Sequence, residues 1–255
     1  MLGDEEMNKE ILQTFIQVAR ELMVARKVVP VKITPPPFTT DDVVWEVFLE
    51  KGLYNQSDVE SYIVNKATGK KYSVQWKDVI VPLNPALIPL NPALIPFVLA
   101  NIVTRIEDSI VFTKLYNSAG NCYSTPNDFL TCGNAIKTTE DSIKLLDADG
   151  YNGRLGTELT LNSIQYYEVL KSFGYIQEYP QVLQLLHGGN IHLTELEKGT
   201  GLLFPSPKHN DNFFNYRINL DWQVFDFGEG KYRVYASIEE PVVNEPNMLC
   251  KLTAI

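Results

Sequence analysis

Residues 174–191 read Gly174-Tyr175-Ile176-Gln177-Glu178-Tyr179-Pro180-Gln181-Val182-Leu183-Gln184-Leu185-Leu186-His187-Gly188-Gly189-Asn190-Ile191, and this stretch decides the fold class. Gly174 breaks the helical pattern before it, and a short helix is expected from Pro180 to Leu186. Gly188-Gly189 ends that helix, and Ile191 to Leu193 reads as a strand. A short helix that passes within a few residues into a short strand belongs to a mixed arrangement of helices and strands.

The mixture continues in both directions. Asn162 can cap a helix expected over Ser163–Phe173, preceded by a strand at Leu155–Leu161 and the turn cluster Asp149-Gly150-Tyr151-Asn152-Gly153. Further back, helix is expected from Thr125-Pro126-Asn127-Asp128 to Lys137 and again over 139–146, with 117–124 a polar Gly/Asn loop. Leu99, Ile102, Val103, Ile106 and Ile110 form one stripe of a longer helix from Phe97 to Tyr116. Leu-Asn-Pro-Ala-Leu-Ile-Pro occupies 83–89 and recurs identically at 90–96; its prolines exclude a regular helix or a central strand, so an extended connector is expected. Residues 50–80 look like a projecting β-hairpin, with strands near 59–64 and 72–76 around Ala67-Thr68-Gly69-Lys70; another strand is expected at 43–49. Pro35-Pro36-Pro37 imposes an extended arm. Residues 5–26 form an amphipathic helix through Ile11, Leu12, Phe15, Ile16, Ala19, Leu22 and Met23, followed by a β-rich run over Val28–Ile33. The C-terminal part is β-rich at 201–204, 215–227 and 231–240, with Gly228-Glu229-Gly230 as a hairpin turn and a last strand at Met248–Leu252. The expected fold class is α+β with at least two lobes and an extended hairpin.

Composition narrows the function classes. The chain has 255 residues, 45% hydrophobic and 21% charged, which supplies a real core and argues against intrinsic disorder. A formal net charge of −9 argues against a free-standing nucleic-acid binder, whose affinity comes largely from neutralising phosphates. Residues 1–10 are polar and acidic, unlike a secretory leader. The best apolar run, Leu83–Val103, is interrupted by Pro85, Pro89, Pro92 and Pro96 and is rejected as a membrane span, so a cytoplasmic protein is the default expectation. Cys122, Cys132 and Cys250 are no disulfide framework; Cys122 and Cys132 flank a Pro-Asn turn that a bridge could close, with two reduced thiols the favoured state.

Sites of chemistry are sparse. His187 and His192 lie across a Gly-Gly break and share no helix face, His209 stands apart, and no cysteine or carboxylate flanks them at metal-ligand spacing. Asp147 to Glu158 imitates a calcium loop but has Tyr151 and Asn152 where an oxygen ligand and the turn glycine are needed. No phosphate-binding glycine loop or nucleophile elbow occurs. Glu107-Asp108 and Glu239-Glu240 are sequence neighbours whose side chains point to different faces, so neither is an acid/base couple. An enzyme, such as a peptidase, would need a nucleophile with a base in reach, and none stands out. Catalytic, metal and cofactor residues are therefore expected to be none.

An ordered series of segments resembles the encapsulins, the shell proteins once described as linocin-type bacteriocins. The series comprises Ala19-Arg20-Glu21 with Ala25-Arg26-Lys27-Val28-Val29; Arg105-Ile106-Glu107-Asp108-Ser109-Ile110-Val111-Phe112; Thr125-Pro126-Asn127-Asp128-Phe129-Leu130; Asp149-Gly150 through Leu161-Asn162; Gly174 through Ile191; and Tyr232 to Leu252 with Val242-Val243-Asn244-Glu245-Pro246. The resemblance implies the Hong Kong 97-type fold of tailed-phage capsids. It assigns 1–49 to an N-terminal helix and arm, 50–82 to an extended loop, and 83–119 to the connector and spine helix. Residues 120–220 would be an axial domain, and 221–255 the C-terminal part of a peripheral domain.

Function follows from the resemblance as expectation. The chain would build a closed icosahedral shell of about 60 copies through several heterologous surfaces. Lys171–Gln177 would rim a fivefold pore, with Phe173, Gly174, Tyr175 and Ile176 at its edge; the alternative is a plain helix–helix turn. Cargo enzymes, such as a ferritin-like iron oxidase or a peroxidase, would be held by a C-terminal targeting peptide in an interior groove formed by Phe15, Ala19, Leu22, Arg26 and Val243. At the family's acidic position after the Arg-Lys pair this chain has Pro30, and the tryptophan some members use for flavin has no counterpart in the proline-rich repeat, so no flavin is expected. The alternative of the same fold is the major capsid protein of a virus or provirus packaging nucleic acid; the absence of a basic arm weighs against it.

Overall fold

The computed structural model describes residues 4–33, 43–49, 61–65, 71–73, 95–125, 133–170, 172–173, 176–209, 213–226, 232–238 and 241–254. In chain order these form α1 (Asp4–Leu22), α2 (Ala25–Val28), β1 (Val31–Ile33), β2 (Val43–Leu49), β3 (Ser61–Asn65), β4 (Lys71–Ser73), α3 (Ile95–Ser118), β5 (Asn121–Thr125), α4 (Asn134–Ala148) and β6 (Thr157–Asn162). There follow α5 (Ser163–Leu170), β7 (Ser172–Phe173), β8 (Ile176–Gln177), α6 (Glu178–Leu185), β9 (Ile191–Thr194), β10 (Thr200–Pro205), β11 (Phe214–Asp226), β12 (Tyr232–Ile238), β13 (Val242–Val243) and β14 (Cys250–Ala254). Helices and strands alternate without a regular βα repeat, as the α+β reading requires.

The chain divides into two compact units. The first comprises Met1–Met23, Lys32–Ile106 and Arg217–Glu240; the second comprises Val24–Val31, Glu107–Tyr216 and Pro241–Ile255. In the first unit, α1 turns Ile11, Phe15 and Ala19 inward, a four-residue spacing that keeps them on one helix face, and Met23 just after the helix is also buried. Phe15 meets Trp222 of β11 edge-to-face at 5.8 Å, the arrangement favoured by the aromatic quadrupoles. The first part of α3 buries Val98, Leu99, Ile102, Val103 and Ile106, as its apolar stripe predicts. β2 lies between β12 and β3, antiparallel to both.

The second unit is built on the sheet β5-β14-β10-β6-β9. Side chains alternate across it. Leu159, Leu161, Ile191, Leu203, Cys250 and Leu252 face one core with Ile143 and Leu146 of α4, Val169 of α5, Val182 of α6 and Leu186. On the opposite face Phe204 packs on Phe112 of α3 at 6.4 Å and on Phe214 at 5.6 Å. Each such fully buried side chain contributes about 1.5–3 kcal/mol of transfer free energy.

Several sequence expectations need correction. The N-terminal helix does not run to residue 26: it stops at Leu22 and a separate turn, α2, begins at Ala25. Periodicity cannot register the reason, which is that the Val24 and Ala25 amides are bound by the Asp108 carboxylate far along the chain. The 117–124 loop contains β5, an edge strand parallel to β14. Its polar sequence hides it, because Cys122 and Ser124 face outward while the Tyr123 hydroxyl donates to Asp141 of α4 at 3.0 Å. No break separates 137 from 139. Buried Thr139 and Ser142 return their hydroxyls to the Ala135 and Thr138 carbonyls at 2.8 and 2.6 Å, so α4 absorbs them. The helix expected to reach Phe173 ends at Leu170, and Ser172–Phe173 instead pairs antiparallel with Ile176–Gln177. The short strand β13 was not expected, and Met248 belongs to a single 3-10 turn before β14. The proline arm, the tip of the 50–80 hairpin, most of the duplicated heptad, residues 126–132 and the Gly228–Gly230 turn lie outside the described residues.

The glycine pair of the opening stretch separates two physical roles. Gly188 has φ +95 and open space around it, whereas a Cβ on Gly189 would lie 1.7 Å from the Thr157 carbonyl oxygen. Gly188→Ala is therefore expected to lose about 1–2 kcal/mol from left-handed backbone strain alone. Gly189→Ala must displace β6 backbone and is expected to lose about 3 kcal/mol or more. Denaturant unfolding of the two variants checks the order.

Candidate functional site

Within the second unit the N-terminal segment Val24–Val31 is held by two consecutive acids of α3. Glu107 is fully buried and Asp108 is 6% exposed. Arg26 engages Glu107 through two parallel bonds, Nε to Oε1 at 2.8 Å and Nη2 to Oε2 at 2.9 Å. The Tyr216 hydroxyl also donates to Glu107 Oε1, at 2.9 Å. Burial, reinforced by the Glu107 charge, pushes the Tyr216 phenol well above its ordinary value, so it remains a donor. Asp108 takes the opposite direction. Its Oδ1 accepts from the Ala25 amide at 2.6 Å, and its two oxygens accept from the Val24 amide at 3.2 and 3.1 Å. These amides open α2, whose own N-cap residue supplies no side-chain bond. Asp108 is thus a helix cap delivered from another element. Burial raises its carboxyl from 3.8 to about 7 against the lowering effect of the two amides. The sequence reading that adjacent acids point to different faces holds here, but it missed that each has its own buried partner.

A second polar cluster lies at the β6–β9 edge of the second unit's sheet. Glu158, 4% exposed, accepts from the Asn190 amide at 2.9 Å and lies 2.8 Å from His192 Nε2. No carboxylate flanks His192 at metal-ligand spacing in the sequence; Glu158 reaches it because β6 and β9 pair in parallel and bring together residues that are 34 apart. Glu178, fully buried at the start of α6, accepts from the Gly133 amide, and among the described residues its Oε2 has no hydrogen-bond partner. Among the described residues no group of three His, Cys, Asp or Glu side chains is placed to hold a metal ion.

The residues expected from the resemblance occupy varied settings. Phe15 and Ala19 are fully buried in the first unit, and Leu22 of that unit is 46% exposed. Arg26 belongs to the second unit in the pair just described, and Val243 lies there in β13, opposite Phe214. Of the expected pore edge, Phe173 and Ile176 are cross-strand partners of β7 and β8, while Gly174 and Tyr175 lie outside the described residues. Immediately before this hairpin, α5 presents Ile164, Tyr167 and Leu170 to solvent at 41, 58 and 42% exposure. Their three-residue spacing makes one apolar stripe, a feature the sequence reading had folded into a generic helix.

Comparison with solved structures gives the architecture a place. The chain superposes on the virus-like particle protein from Pyrococcus furiosus with a TM-score of 0.60 at 11% identity, covering 96% of this chain and 98% of that one. It superposes on the capsid protein of Myoviridae phage XM1 with a TM-score of 0.50 at 16% identity, covering 95% of this chain and 92% of that one. The chain has the Hong Kong 97-like capsid fold. No protein-family model matches the sequence, and no curated protein matches it. No helix among the described residues is long and apolar enough to cross a membrane.

Removing one member of the buried ion pair is the sharpest perturbation of this site. Arg26→Leu leaves Glu107 buried without its cation and is expected to cost about 3–5 kcal/mol. The double substitution Arg26→Leu/Glu107→Leu is expected to recover part of that loss, as a double-mutant cycle in denaturant will register.

Proposed function

We propose that this chain is a shell subunit that associates with many copies of itself into a closed particle. The observation that carries this reading is the coverage of the likeness to the virus-like particle protein: nearly the whole of each chain superposes on the other. A closed shell requires one chain to offer several heterologous surfaces at once. The exposed stripe Ile164, Tyr167 and Leu170 suits such a surface, since contiguous apolar area on one face is a common mark of an association site.

The particle is, in this proposal, an encapsulin-type compartment enclosing protein cargo, with the segment series from Ala19 to Leu252 supporting that choice. Residues 120–220 then form the axial domain, the two chain ends the peripheral domain, and 50–82 the extended loop. Phe173, Gly174, Tyr175 and Ile176 rim the fivefold pore. Phe15, Ala19, Leu22, Arg26 and Val243 are the residues assigned in this proposal to cargo-peptide binding; of these Leu22 is exposed and apolar, whereas Phe15 and Ala19 are fully buried. The likeness to the phage XM1 capsid protein favours a second reading, a viral capsid subunit around nucleic acid.

Sedimentation of the purified protein tests assembly, and the content of the particles separates the two readings. A single fast-sedimenting species of megadalton mass is expected, containing a co-purifying protein and no nuclease-protected nucleic acid. A stable monomer overturns the proposal; protected nucleic acid selects the viral reading. Tyr167→Glu, on the surface of α5, is expected to shift the population toward small species while the far-ultraviolet circular dichroism stays unchanged.

A further inference from the structure

The turn after α4 gathers the two dipeptides of this chain that are chemically least durable. Asp149-Gly150 is its single Asp-Gly pair and Asn152-Gly153 its single Asn-Gly pair. In an Asn-Gly pair the glycine amide nitrogen can attack the side-chain carbonyl carbon of the asparagine, because glycine has no Cβ to obstruct the approach. Packing nevertheless demands glycine at 153: a Cβ there would lie 2.5 Å from Ile143 Cγ2 and 3.2 Å from Asp147 Oδ1.

The groups that such an attack needs are already engaged. Gly153 is buried, and its amide donates to Asp147 Oδ1 at 2.7 Å. The Asn152 side chain is exposed, but its Oδ1 accepts from the Arg154 amide at 3.1 Å, which fixes the carboxamide against the following main chain. The Gly150 amide donates to the Asp147 carbonyl at 3.1 Å, and Asn121 Nδ2 donates to Asp149 Oδ2 at 2.6 Å. One residue, Asp147, thus holds both glycine amides, the first through its main chain and the second through its side chain.

We infer that Asn152 is a latent site of covalent modification, cyclisation to a succinimide followed by hydrolysis, and that Asp147 keeps it unreacted in the folded chain. The reaction begins when the Gly153 amide gives its proton to hydroxide. The nitrogen bonds to Asn152 Cγ, the Cγ–Nδ2 bond breaks, and the departing nitrogen takes a proton from water and leaves as ammonia, regenerating hydroxide. A second water opens the five-membered imide at either carbonyl, giving aspartate or isoaspartate. Asp147 opposes the first step twice. Its bond to the amide must be lost, and its negative charge disfavours a negative nitrogen 2.7 Å away. Reaction in the folded protein therefore waits for the turn to open, and its rate tracks the open fraction. An isoaspartate product adds one carbon to the main chain inside a turn closed by the Leu155 amide on the Asn152 carbonyl at 2.9 Å, so the turn cannot re-form unchanged.

The inference is independent of the proposed assembly. Full-length wild type and Asp147→Ala, matched by far-ultraviolet circular dichroism, are kept warm at mildly alkaline pH, and peptide mass mapping follows conversion of the Asn152 amide to an acid. Wild type unfolded in guanidinium chloride supplies the unprotected rate. Folded wild type is expected to convert at least about tenfold more slowly than the unfolded chain, and Asp147→Ala roughly tenfold faster than folded wild type, the effect of one charge-assisted hydrogen bond. Asp147→Asn, which keeps an acceptor oxygen, is expected to restore most of the protection. Equal rates in folded and unfolded wild type, or no acceleration in Asp147→Ala, overturn the inference. Should Asp147→Ala not fold, hydrogen exchange of the Gly153 amide in the wild type answers: exchange at least about tenfold below the intrinsic rate supports the protective bond, and exchange at the intrinsic rate overturns it.

Discussion

Two consecutive acids buried in the middle of a helix are a severe constraint, and the second unit is arranged around meeting it. Glu107 and Asp108 leave water together, at 0 and 6% exposure, so each needs strong partners close at hand. Helical geometry sends them in different directions, and the partners arrive separately: Arg26 and Tyr216 for Glu107, the Val24 and Ala25 amides for Asp108. Because three of these partners sit in Val24–Arg26, the constraint also dictates where the N-terminal segment must lie and where its helix must be interrupted. A planar guanidinium that bonds both oxygens of Glu107 is a geometric requirement as much as a charge requirement, so lysine at position 26 would not be equivalent.

The same segment brings an N-terminal stretch into the second unit together with the C-terminal one. Residues 24–31 and 241–255 belong to that unit together with 107–216. Pro30 accepts from the Tyr216 amide at 3.1 Å, so the segment that bonds the acids continues into backbone pairing beside β11. At the other end, β14 sits between β10 and β5 and closes the sheet in the middle, not at its edge. Contacts of such long sequence separation slow folding, because loop-closure entropy must be overcome before they are rewarded.

What was legible in the sequence followed from local rules. The stripe Leu99, Ile102, Val103 and Ile106 announced α3, Gly188-Gly189 announced the stop after α6, and the run 43–49 announced β2 at its observed bounds. What was hidden depended on partners distant in the chain. β5 is a strand because β14 lies beside it, α1 stops because Asp108 binds the next amides, and His192 finds Glu158 because two strands run parallel. The acids were visible as a pair but not as buried, since nothing local distinguishes a buried Glu-Asp from a solvated one. The segment order that resembles encapsulins pointed to the capsid fold before any geometry, and the superposition on the virus-like particle protein bears out the fold.

Cryo-electron microscopy of the purified protein, with no partner added, measures the central claim most directly. The account predicts closed hollow particles of one diameter, whose averaged density holds about 60 copies or a larger icosahedral number. Dispersed monomers, or open sheets and filaments that never close at working concentration, would contradict it.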